Sequence, residues 1–281
     1  DVLLDNTDRN RTSPFAFTGN KFELRAAGSA SNCAQPMTVL NTAMAQQLNE
    51  FKADVDALIE KDGLKKDEAI FSILKRYIKE SKAIRFEGDG YGDAWKEEAA
   101  KRGLSNEPST PRALDAYVSE KSLSMFAELG VLSNREAEAR HEILLESYFM
   151  KIQIESRVLS DLAGNHIVPT AIKYQNVLID NVQRLKGIMD DATFNDVAKE
   201  QLEMIKDISG RISKILSSKE AMTQARKSAN ALEDVREKAI AYYDNVKPYF
   251  DVIRYESDKL ELMIDDEQWP LPKFREMLFT R

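Results

Sequence analysis

Apolar positions along this chain change period once, near residue 36. Before it, Phe22-Glu23-Leu24-Arg25 alternates apolar and charged residues, the pattern of a strand with one buried face, and Thr18-Gly19-Asn20 reads as the turn that precedes it. Phe15 and Phe17 flank Ala16 on the other side of that turn, so about two short strands are expected here. Beyond it the spacing is helical. Leu40, Met44, Leu48, Phe51, Val55 and Leu58 recur at three- and four-residue steps until Asp62-Gly63, with Pro36 suited to a first helical position. A second helix opens at Asp67, with Ile70, Ile73, Leu74, Tyr77 and Ile78 as its inward face.

The three glycines between Phe86 and Gly92 argue against a regular element. A short helix over Trp95–Arg102 should stop at Gly103, residues 104–110 read as a linker, and Thr110-Pro111 as another helix start. Ser133 and Glu136 have capping-box spacing, with Leu132 placed for a hydrophobic staple. One long helix then runs to about Gly164, with Ile143, Leu144, Ser147, Ile154, Val158 and Leu162 among its inward positions. Pro169 removes a backbone donor, so a kink or break is expected near Asn165-His166. Further helices are expected over Ile172–Leu185, Thr193–Leu216, Lys219–Asn245 and Pro248–Ile264. Glu200, Glu203, Lys206, Asp207, Arg211 and Lys214 form an exposed side. Trp269-Pro270-Leu271-Pro272 is extended, and Trp269, Phe274, Leu278 and Phe279 are expected to pack against another surface.

Composition narrows the classes. A chain of 281 residues needs no disulfide or metal staple, since one this long buries about 75% of its unfolded surface. Forty basic against 47 acidic residues give a net charge of −7, which argues against nucleic acid as a general partner. The single cysteine, Cys33, excludes an internal disulfide, points to a reducing, cytoplasmic setting, and reads as a small buried residue. No apolar run spans a membrane. With Asp1 as its first residue and no signal-like segment, the sequence looks cut from something longer.

The chemistry-bearing cluster is Arg9, Arg11, Lys21, Glu23 and Arg25. Side chains at i and i+2 of a strand share a face, so Lys21, Glu23 and Arg25 point the same way. Two cations around one carboxylate, with Arg11 from the preceding turn, suit an anionic substrate beside a divalent ion. The same alternation also fits a solvated edge strand. His141 lies on a charged stretch of helix without a second histidine at i+3 or i+4, which favours an exposed or salt-bridged imidazole over a metal ligand. His166 adjoins the Pro169 break and is placed to cap carbonyls freed there. The Gly88–Tyr91 loop fits an active-site rim, a subunit contact or a plain turn. Tyr242, Tyr243, Tyr249, Phe250 and Tyr255 fall at helical spacing and read as core.

The wording of Asp8-Arg9-Asn10-Arg11-Thr12-Ser13-Pro14-Phe15, followed by Gly19-Asn20-Lys21-Phe22-Glu23-Leu24-Arg25, resembles the last catalytic strands of glutamine synthetase, in particular its long bacterial type III class. Leu129-Gly130-Val131-Leu132-Ser133, Asn165–Ala171 and Trp269–Pro272 extend the likeness over nearly the whole chain. The resemblance implies a mostly α fold: the C-terminal remnant of an α+β catalytic domain over residues 1–105, about two strands included, then a helical bundle domain over 106–281. It also implies roles. Arg11 would touch ATP phosphate and glutamate, Glu23 would ligate a catalytic Mg²⁺ or Mn²⁺, and Arg25 would pair with glutamate and the transferring phosphate. Lys21 takes the place of a nucleotide-side arginine of the type I enzymes, and Ala16 stands where those carry another. The activity implied is ATP-dependent joining of ammonia to L-glutamate through a γ-glutamyl phosphate, in a homo-oligomer expected to be a dodecamer. The isolated chain would be inert, because most metal carboxylates of the family precede Asp1. The alternative is a non-catalytic helical oligomerisation or regulatory module tethered by the β segment.

Overall fold

In the computed structural model the described residues are 15–17, 21–24, 32–84 and 92–278. Two three-residue strands, β1 (Phe15–Phe17) and β2 (Phe22–Leu24), pair antiparallel, and the other elements are helical, as the mostly α expectation requires. Those helices are α1 (Ala34–Asp62), α2 (Lys66–Glu80), α3 (Asp93–Lys101), α4 (Thr110–Ala113), α5 (Glu120–Glu128), α6 (Asn134–Asp161), α7 (Val168–Ile188), α8 (Asp191–Val197), α9 (Lys199–Asn230), α10 (Val235–Ala241), α11 (Pro248–Glu261) and α12 (Phe274–Met277). Among the described residues no helix is long and apolar enough to cross a membrane. They fall into two compact units. The first holds those up to Pro108 together with Ala116–Glu138, and the second holds Ser109–Asp115 with everything from Ala139 on.

In the first unit, α1 and α2 pack through Val55, Ala69 and Ile73, with Phe51 edge-on to Tyr77 at 5.9 Å. Asp54 of α1 receives the Tyr77 hydroxyl at 2.8 Å and the Arg76 guanidinium, tying the pair together at its rim. The turn at Asp62-Gly63 forms as expected. Gly63 takes a left-handed φ of 66°, which a side chain resists, and Leu58 and Leu64 meet beneath it. A second cluster of Met125, Phe126, Leu132 and Ala137 packs α5 against the start of α6. There the capping box is complete. Glu136 N–H donates to Ser133 Oγ at 3.3 Å, Ser133 N–H donates to Glu136 Oε2 at 2.8 Å, and Leu132 and Ala137 make the staple.

The core of the second unit gathers Ile152, Ala163, Ile167, Ala171, Ile208, Ile215, Met222, Tyr242, Val246, Ile253 and Leu260 from α6, α7, α9 and α11 and the turns between them. Of the kink or break expected near Asn165-His166, the break does not occur: a π turn, Leu162–Ile167, lies there, and through it α6 continues into α7. A second one, Tyr242–Val246, joins α10 to α11. Both precede a proline, Pro169 or Pro248. A proline ring collides with the carbonyl four residues earlier, here Asn165 or Asp244, and both carbonyls lie inside the widened turn. The Lys247 N–H reaches back five residues to Tyr242 C=O at 3.0 Å. Widening the helix by one residue accommodates the proline without ending the helix.

Several expected faces are corrected. Leu48 of α1 and Leu74 and Ile78 of α2 are exposed. On α6 the buried positions are Ala137, Leu145, Ile152 and Ser156, whereas Ile143, Ser147, Ile154 and Val158 face outward. That helix is apolar on more than one side, so periodicity did not select the inward one. Helix α9 runs unbroken through residues 216–219, where Ser217 and Ser218 are no obstacle, and the helix expected over 219–245 is split at Ala231–Asp234. The cause is a cap: Asp234 accepts from Glu237 N–H at 2.7 Å and starts α10. Arg211 is not on a solvated side but half-buried between Asp207 and Glu256. Cys33, Tyr255 and Leu278 are exposed rather than packed, while Trp269 and Leu271 do cover the core. The Phe86–Tyr91 segment and Phe279 lie outside the described residues.

Candidate functional site

The β1–β2 register sets Phe15 against Leu24, Ala16 against Glu23 and Phe17 against Phe22. Glu23 therefore stands opposite the smallest possible chiral residue on its strand partner. Lys21 and Glu23, two apart, share a face as strand pleating demands, and Lys21 Nζ lies 3.7 Å from Glu23 Oε1. The Glu23 side chain is 36% exposed and that of Lys21 64%, so the carboxylate is neither sealed in an apolar interior nor fully solvated. A pair this open is worth at most about 1 kcal/mol. Arg11 and Arg25 lie outside the described residues. Arg9 lies outside them as well, so of the five residues the sequence singles out the structure brings together two, and Glu23 offers one hard oxygen donor of the kind Mg²⁺ or Mn²⁺ takes. No cluster of three or more potential metal ligands occurs among the described residues.

His141 is mostly buried rather than exposed: its side chain is 13% exposed, with Nε2 3.6 Å from Asp115 Oδ1. His166 is half-exposed and turns toward Asp161 Oδ2, 4.0 Å away.

What the sequence reasoning missed is a set of charged contacts between residues far apart in the chain. Arg112 on α4 grips Asp244 in the second π turn with hydrogen bonds of 3.0 and 2.6 Å. Arg236 on α10 grips Asp115 likewise, at 2.8 and 2.6 Å. The Arg236 guanidinium holds the Asp115 carboxyl below the usual carboxylate range, against a partial burial that acts the other way. Nearby, burial together with Tyr243, Glu155 and Asp244 pushes the Tyr148 hydroxyl up to about 12, so it stays a neutral phenol. No local pattern could announce pairs separated by 121 and 132 residues.

Between α6 and α11 lies an open cavity of about 430 Å³, lined by Ile154, Val158, Leu159, Leu162 and Phe250 with Glu155, Asp251 and Arg254 at its edge. Its walls are apolar, which suits packing rather than proton transfer.

A family model described as the glutamine synthetase C-terminal domain matches residues 69–186. The chain is similar to a glutamine synthetase of Bacteroides fragilis (strain YCH46), 54% identical over 281 residues, covering 100% of this chain and 38% of that protein. It is also similar to the type-3 glutamine synthetase of Dictyostelium discoideum, 35% identical over 277 residues, covering 99% of this chain and 37% of that protein. A glutamine synthetase of Butyrivibrio fibrisolvens is 31% identical over 280 residues, covering 98% of this chain and 38% of its own. The chain thus spans well under half the length of these relatives.

Proposed function

Because this chain belongs to the glutamine synthetase family, we propose that it forms the C-terminal part of an ATP-dependent ligase of the type III class, joining ammonia to L-glutamate. The observation that carries the reading is a likeness at 54% identity running through all 281 residues, hairpin included. In this reaction the side-chain carboxylate of glutamate attacks the γ-phosphate of ATP, and ammonia displaces phosphate from the resulting acyl phosphate. Charge spread over the transferring oxygens must be neutralised, and guanidinium groups do this without reorganisation.

In this proposal Arg11 and Arg25 hold glutamate and the transferring phosphate, and Lys21 lies on the nucleotide side. Glu23 supplies one oxygen to a Mg²⁺ or Mn²⁺ ion, whose charge neutralises phosphate oxygens when it is bound. The Glu23 carboxylate, 36% exposed and 3.7 Å from Lys21 Nζ, supports that role. One carboxylate does not complete a two-ion site, so residues 1–281 alone are inert in this reading. The domain division is residues 1–105 for the catalytic end and 106–281 for the helical region. The full protein is a cytoplasmic homo-oligomer, a dodecamer by resemblance. The second reading, a helical assembly or regulatory module, draws on the amount of helix beyond what one chemical site needs, and both hold together in a full-length protein.

The test is Glu23→Ala in the full-length protein that carries this chain. Metal-dependent glutamine formation from glutamate, ammonia and ATP should vanish while the sedimentation profile stays that of the unaltered oligomer. Near-normal turnover would remove Glu23 from the site.

A further inference from the structure

Helix α6 carries two apolar sides, and the core takes only one. Within the second unit its buried residues are Leu145, Ile152 and Ser156, while Ile143, Met150, Ile154 and Val158 are between 47% and 61% exposed. With Ser147 among them, the outward residues occupy about a quarter of the helix circumference, on the side directly opposite the buried set. Their steps of four, three, four and four residues are those of a seam between two helices. A continuous stripe of this kind marks a contact surface more often than a bare one. Its C-terminal half also forms one wall of the open apolar cavity, where Ile154, Val158 and Leu162 face Phe250 of α11.

The charges beside the stripe indicate what fits it. Glu142, Glu146 and Arg157 lie along one flank, the two acids in its N-terminal half and the base in its C-terminal half. None of the three has an ion-pair partner among the described residues, whereas Arg211 of α9 and Arg254 of α11 each pair with a carboxylate four residues away. When two helices pack antiparallel, each flank meets its own counterpart reversed. Two copies of α6 packed in this way bring Glu142 of each beside Arg157 of the other, so the ion pair forms twice. Ile143 of each comes level with Ile154 of the other, at the mouth of the α11 cavity, and Ser147 meets Met150 between them. Opposed helix dipoles favour the same arrangement.

We propose that the outward face of α6 is an interface with a second copy of this chain, the two helices lying antiparallel across a two-fold axis near Met150. This rests on the reading of the helical region as an assembly module and names the surface and the partner. The contact is isologous, so one patch supplies both sides. The aliphatic side chains of the stripe lose water, the Ile143 side chains close the mouths of the two cavities, and the flanking charges set the direction of pairing.

The experiment is sedimentation of the 281-residue chain over concentrations reaching about 100 µM. The unaltered chain should self-associate in a concentration-dependent way. Ile154→Glu, at an exposed position opposite the core, should keep its helical circular dichroism and lose at least about tenfold in association constant. Glu142→Arg and Arg157→Glu should each weaken association roughly threefold or more by placing like charges together twice, and the double variant should recover to within about twofold of the unaltered chain. A chain that associates regardless of Ile154→Glu overturns the α6 interface and leaves the assembly reading standing. A chain that remains monomeric throughout overturns both. Association that Ile154→Glu weakens but the double charge exchange fails to restore overturns the antiparallel pairing proposed here.

Discussion

Asn230, the last residue of α9, accepts a hydrogen bond from the Tyr242 hydroxyl at 2.7 Å, across the turn that reverses the chain into α10. The same oxygen receives Gln153 Nε2 at 3.1 Å, so one side-chain amide joins α6, α9 and the second π turn. Tyr242 is fully buried and stacks on Phe149 at 5.9 Å. Removing only its hydroxyl, in Tyr242→Phe, should cost about 1 kcal/mol. Asn230→Ala should cost more, because a buried phenol donor is then left without an acceptor. Urea unfolding of the two variants reads the order directly, and a Tyr242→Phe variant less stable than Asn230→Ala contradicts it.

Gly164, inside the first π turn, lies under the side chain of Lys219 from α9, and a Cβ there would stand 3.3 Å from Lys219 Cε and closer still to its Nζ. The far end of a lysine can move, so Gly164→Ala should destabilise modestly and Lys219→Ala should relieve the loss. A double-mutant cycle measures this coupling, and strictly additive effects would show that the contact is not what constrains residue 164.

The Ser133–Glu136 box satisfies amide donors at the start of α6. Ser133→Ala should lower stability by about 1 kcal/mol, and Ser133→Asp should restore most of it, since aspartate caps as well as serine. Thermal unfolding of the three proteins decides this.

Acid should weaken the helical unit through Asp115. Arg236 first, then His141, depresses its carboxyl below the ordinary value of 3.8. A depressed carboxylate stabilises the fold fully above its unfolded value, and that contribution is lost as pH falls through the folded value. Stability should therefore decline below about pH 4, and Asp115→Asn should flatten that slope while lowering stability at neutral pH. An unchanged slope in acid titrations of the variant would show that other carboxylates govern it.

Helix existence was written in the sequence: α1, α2, α3 and α6 begin or end within a few residues of where periodicity, Gly63, Gly103 and the Ser133–Glu136 pair put them. So was the pairing of Lys21 with Glu23, since strand pleating alone puts residues two apart on one face. Caps, turns and strand faces are decided by atoms within about one turn of chain, which is the range a sequence pattern carries. The choice among apolar faces on α6 was not, because Ile143, Ile154 and Val158 are as apolar as Leu145 and Ile152 and only the positions of α9 and α11 select between them. Nor was the fate of Pro169: a proline dictates that a hydrogen bond is lost, and the surrounding core decides whether the helix breaks or widens into a π turn. The arginine forks to Asp115 and Asp244 belong wholly to tertiary structure, for their partners meet only after the helices have packed.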